Sequence, residues 1–77
     1  MPSQYSKEIR QQLELAFVNN IERNFGHFDR FDHSMGRIRR NAANATDDQL
    51  MRGANASQKE LIQWASEPGE FNPFRYH

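Results

Sequence analysis

Four residues of metal-ligating type fall within seven positions: His27, Asp29, Asp32 and His33. On a helix, Asp29 and His33 stand one turn apart, which would bring an imidazole and a carboxylate to one ion. A transition-metal site needs three or four such donors, and His77 is the only other histidine. The plainer account has these residues solvating the outside of a Phe-rich turn, with Asp29 capping a helix. Their spacing fits no ligand pattern, so no metal or other cofactor is expected. Catalysis has less support still. A nucleophile needs a base and an oxyanion donor held away from water, and the chain has no cysteine, no glycine-rich phosphate loop and no evident carboxylate pair. A substrate cleft would consume most of the core of a 77-residue chain. The expectation is a non-enzyme.

Arginine carries most of the remaining chemistry. Eight of the ten basic residues are Arg, the side chain suited to planar, multidentate contacts. Arg23, Arg30 and Arg37 recur at seven and would line one edge of a helical path, extended by Arg39 and Arg40. Such a row suits phosphate contacts. It equally suits a solvated flank whose stems cover aromatic surface, and the small local net charge favours that second reading. Ten acidic residues balance the ten basic ones, so no general attraction to nucleic acid or anionic membrane is expected.

Two further groups bear on partners. Leu50, Met51, Ala54, Asn55, Ala56, Leu61 and Trp64 have a spacing similar to a helix-turn-helix, with Asn55 at the turn. That resemblance implies a second helix entering the major groove with Gln58, Lys59 and Gln63 facing bases, although Glu60 and Glu67 would repel phosphate. Toward the end of the chain, Trp64, Phe71, Phe74 and Tyr76 gather with Arg75, an aromatic-plus-Arg composition enriched at binding hot spots. The same aromatics also suit missing core volume.

The elements that must position these residues are helical. From Phe17 to Ala45 a 3-4 spacing runs through Phe17, Ile21, Asn24, Phe28, Phe31, Met35, Ile38, Ala42 and Ala45, with Asn24 the one polar member. Gly26 and Gly36 interrupt the backbone preference, so two helices meeting near Gly26 are expected, with Gly26 as the C′ residue of the first. Helix 1 begins after Pro2 and Ser3 and ends near Phe25. Helix 2 spans about 29 to 44. Thr46-Asp-Asp-Gln49 and Ser57-Gln-Lys-Glu60 are capping boxes for two short helices, ending near Gly53 and before Pro68. The expected core is Ile9, Leu13, Phe17, Ile21, Phe28, Phe31, Met35, Ile38, Leu61 and Trp64. Leu15 and Val18 lie off the stripe and mark a possible second contact surface.

These features describe an all-α single domain over residues 1–77: a small bundle with helix 1 antiparallel to helix 2, two short helices and an aromatic tail. A chain of this length buries only about 60% of its unfolded surface. Without disulfides, a homo-oligomer, most simply a dimer, is therefore expected. Met1 to Arg10 is polar and no transmembrane-length stretch occurs, which points to a cytoplasmic protein that does not enter membranes. The functional expectation is a protein that binds and inhibits, or adapts, a larger protein assembly. Its size and style resemble virus-encoded inhibitors of host machinery. The partner surface is expected at Arg30, Arg37, Arg39, Arg40, Phe71, Phe74, Arg75 and Tyr76. The alternative is a DNA-binding regulator acting through residues 47–66.

Overall fold

The computed structural model describes residues 3–26, 35–67 and 74. Among them are four helices and no strand: α1 (Lys7–Phe25), α2 (Met35–Asn44), α3 (Asp47–Asn55) and α4 (Gln58–Ser66). Helix 1 starts later than its apolar pattern suggests. Ser6 adopts an extended conformation and its hydroxyl accepts from the Ile9 N–H, so the helix is capped there and Ser3 to Tyr5 turn away. At the other end Gly26 follows the helix at φ −63°, a right-handed conformation that does not call on glycine's freedom.

Both capping boxes form as the sequence predicts. Thr46 Oγ1 accepts from Gln49 N–H and the Gln49 side chain accepts from Thr46 N–H; Ser57 and Glu60 do the same for α4. Helix 3 runs two residues beyond Gly53, to Asn55. Helix 4 ends at Ser66, ahead of Pro68.

Helix 1 is the spine on which the others pack. The last turn of α2 lies beside Arg10, near the start of α1, so α2 runs antiparallel to α1. A one-turn reversal at Ala45 and Thr46 sends α3 back parallel to α1. Asp47 therefore sits near Arg10, and Gly53 and Ala56 near Asn20. Helix 4 then returns along α3, bringing Glu67 to Arg52.

Phe17, Ile21, Ile38, Leu50, Leu61 and Trp64 are fully buried at the centre, with Val18, Met35, Ala42, Ala45 and Ala56 around them. The 3-4 stripe is thus buried at Phe17, Ile21, Met35, Ile38, Ala42 and Ala45, while Asn24 is half-buried and Phe28 and Phe31 lie outside the described residues. Ile9 corrects the expected core, being 52% exposed. Apolar residues repeating every four positions drift around a helix by about 40° per step. Two steps back from Phe17 this carries Ile9 off the packed face, with half-buried Leu13 between them. Val18 departs the other way: it is buried against the bundle instead of facing outward. Gly53 is required by packing, because a Cβ there would run into the Phe17 ring and press on Trp64. That absence lets α3 lie directly against the aromatic centre.

Candidate interaction surface

Several polar side chains of the described residues hold helices to one another. Arg10, largely covered, donates through Nη1 to Asp47 Oδ1 (2.7 Å) and through Nε to Glu14 Oε2 (3.0 Å). Its Nη2 reaches the carbonyls of Ala42 (3.1 Å) and Ala45 (2.6 Å). One guanidinium therefore covers carbonyls at the end of α2 and just beyond it, and ties them to the acid opening α3. Asp47 also accepts from Ser3 Oγ (2.8 and 3.0 Å) and from Gln4 N–H (3.0 Å), fastening the segment before α1. Loss of solvent opposes the charge on Asp47, but the hydrogen bonds from Ser3 and Arg10 outweigh it and its pKa lies below the ordinary carboxylate value. Glu60 is likewise lowered, chiefly by the Ser57 N–H and hydroxyl.

Asn20 performs the equivalent task at the far end of α3. Buried on α1, its Nδ2 donates to the carbonyls of Gly53 (2.7 Å) and Ala56 (2.9 Å). Its Oδ1 accepts from Arg23 Nη2 and Asn24 Nδ2, both at 3.2 Å. The Gln58 side chain donates to the Asn24 carbonyl (3.0 Å), docking the start of α4 on the end of α1. Arg52 lies 4.4 Å over the Trp64 ring and pairs with Glu67 (3.2 Å).

The residues expected to meet a partner separate into distinct groups. Arg37 is half-buried and its Nη1 donates to the Phe74 carbonyl (3.2 Å), while the Phe74 ring meets Phe25 edge-on at 5.4 Å. Arg37 and Phe74 therefore hold part of the tail on the bundle. Arg39 and Arg40 are exposed on α2 and have no partner among the described residues. Lys59 and Gln63 are exposed on α4, whereas Gln58 is engaged with α1. Arg30, Phe71, Arg75 and Tyr76 lie outside the described residues, as do His27, Asp29, Asp32 and His33. Among the described residues no three His, Cys, Asp or Glu side chains gather closely enough for a metal ion. No described helix is long and apolar enough to cross a membrane.

Among the described residues, two open grooves flank α1. One, of about 210 Å³, lies toward α2 and is lined by Leu15, Val18, Arg39 and Ala42 with Gln11 and Glu14. The other, of about 370 Å³, lies toward α3 and is formed by Tyr5, Ile9, Gln12, Leu13 and Met51. Ile9, expected in the core, and Met51, expected in the helix-turn-helix spacing, are surface apolar residues in this second groove; the four-residue drift at Ile9 was the available signal. Protein-family models, curated proteins and solved structures were each compared with the chain. None matches.

Proposed function

We propose that this chain is a small non-catalytic binding protein that docks on a larger protein assembly and inhibits or adapts it, as virus-encoded inhibitors of comparable size do. The observation that carries this reading is the outer face of α2. Arg10, Arg23, Arg37 and Arg52 are each bonded within the chain, whereas Arg39 and Arg40 stand exposed and unmatched among the described residues. Helix 2 has no acidic residue to neutralise them. Beside Arg39 the groove floor is apolar, from Val18 and Ala42. Arg next to an apolar hollow suits an acidic, partly apolar protein surface.

The test compares the tagged wild type with an Arg39→Ala/Arg40→Ala variant in capture from the native cell, followed by titration against the purified captured protein. A stoichiometric complex with at least tenfold weaker binding by the variant supports the reading, and equal affinity overturns it. Arg37 is left intact because it holds Phe74. A helix-turn-helix reading draws on the two-residue joint between α3 and α4 and on exposed Lys59 and Gln63. It is supported instead by duplex DNA binding that weakens steeply with salt and depends on those two residues.

A further inference from the structure

Tyr5 and Met51 make a contact that has no part in the buried core or in the proposed partner surface. Met51 lies on α3 one turn past Asp47, the residue that holds Ser3 and Gln4. The segment before α1 therefore follows one face of α3, and Tyr5 makes its second hold there, donating from Oη to Met51 Sδ at 3.6 Å. A thioether is a weak acceptor, so this hold is slight. Met51 is 44% exposed and faces the open groove of about 370 Å³ that it shares with Tyr5, Ile9, Gln12 and Leu13. Met35, by contrast, is 9% exposed and packed in the core.

We propose that Met51 is an oxidation site: hydrogen peroxide reaching it through this groove converts it to the sulfoxide, and Tyr5 holds the product. The sulfur forms a bond to one peroxide oxygen, the O–O bond breaks, and the other oxygen leaves with both hydrogens as water. Sulfur gives up two electrons and the peroxide takes them. Tyr5 engages one lone pair of the thioether and leaves the second open to attack. The sulfoxide oxygen is a far stronger acceptor than the thioether, and rotation of the exposed Met51 side chain presents it to the phenol already beside it. Oxidation thus turns a slight hold on the segment before α1 into a full hydrogen bond. It also sets a polar atom in a groove walled by Ile9 and Leu13. Sulfoxides are reduced enzymatically, so the strap from Ser3 to Tyr5 is reversibly tightened by redox state. The partner-binding reading is independent of this site, because Arg39 and Arg40 lie on α2.

Peroxide treatment of the full chain, followed by peptide mass spectrometry, tests the site. Met51 should gain one oxygen about tenfold faster than Met35, because access sets the rate. Equal rates overturn the proposal. The role of Tyr5 is read from melting temperatures of wild type, Tyr5→Phe and Met51→Leu, each before and after a peroxide dose that leaves Met35 unmodified. Phe keeps the ring and Leu the apolar volume, so both variants keep the fold. The shift on oxidation should be more favourable in wild type than in Tyr5→Phe by about 2–4 °C, the size of a gained hydrogen bond in a domain this small. Met51→Leu should show no shift, which assigns the effect to Met51 and not to Met1. The same shift in wild type and Tyr5→Phe overturns the strap. A shift that persists in Met51→Leu overturns the site.

Discussion

Asn20 donates both amide hydrogens to carbonyls at the end of α3. Asn20→Ala should cost about 1–3 kcal/mol, because those carbonyls lose their donor in a place water reaches poorly. Asn20→Asp should be worse at neutral pH, since a carboxylate facing two carbonyls can only accept. Thermal or urea unfolding of the two variants ranks them, and an aspartate as stable as the alanine would contradict the geometry. Gly53→Ala should lose about 1–3 kcal/mol through overpacking against Phe17, measured the same way. Asp47 gives a pH signature. Its folded pKa lies below the ordinary value, so its contribution is fully present above the unfolded carboxylate pKa of about 3.9 and is lost as pH falls through the folded pKa. The wild-type melting temperature should therefore fall below about pH 4, with a shallower acid limb in Asp47→Asn. Glu60, lowered as well, keeps the limb from vanishing.

At the scale of elements, each helix start that a local motif specifies is where the sequence puts it. Thr46 and Ser57 cap within their own four residues, so nothing distant is needed to read them. The stripe positions buried among the described residues, Phe17, Ile21, Met35, Ile38, Ala42 and Ala45, were legible for the same reason: periodicity is a local property that packing obeys. The start of α1 was not, because Ser3 and Gln4 are drawn to Asp47, more than forty positions away. Arg10 announces only its neighbour Glu14 in sequence, while its bonds to α2 and α3 depend on the tertiary turn at Ala45. Gly36 supplies an element-level test. A Cβ there meets nothing within 4 Å, so no close approach accounts for the glycine. Gly36→Ala should raise stability by about 0.5–1 kcal/mol through helix propensity and a less flexible unfolded chain. A lower melting temperature in that variant would show that α2 has a contact this face does not display.

For the molecule as a whole, the aromatic tail was composition without address in the sequence. Phe74, against Phe25 and under Arg37, supplies one anchor point. Removing residues 71–77 should lower the melting temperature by several degrees, since about 1 kcal/mol corresponds to 4–8 °C in a domain this small. Arg37→Ala should cost less in the truncated chain than in the intact one, because both changes remove the same contact. Additive losses in that double-mutant cycle would detach Arg37 from the tail. The exposed pair Arg39 and Arg40 was legible as basic surface. That Arg37 belongs to a clasp was not, because its acceptor is a backbone carbonyl 37 positions away.

The placement of α1 against α3 also has a meaning in time. A ribosome delivers α1 first, yet the surfaces that cover Phe17, Asn20 and Ile21 include Leu50, Gly53 and Ala56, made about thirty residues later or more. Until then only α2 covers part of the apolar side of the longest described helix, and helices draw most of their stability from such packing. Complete folding during synthesis must therefore wait for α3 to leave the exit tunnel, and a released fragment ending at residue 45 should be more protease-sensitive along α1 than the full chain. The first third of the protein acquires its structure from helices made after it.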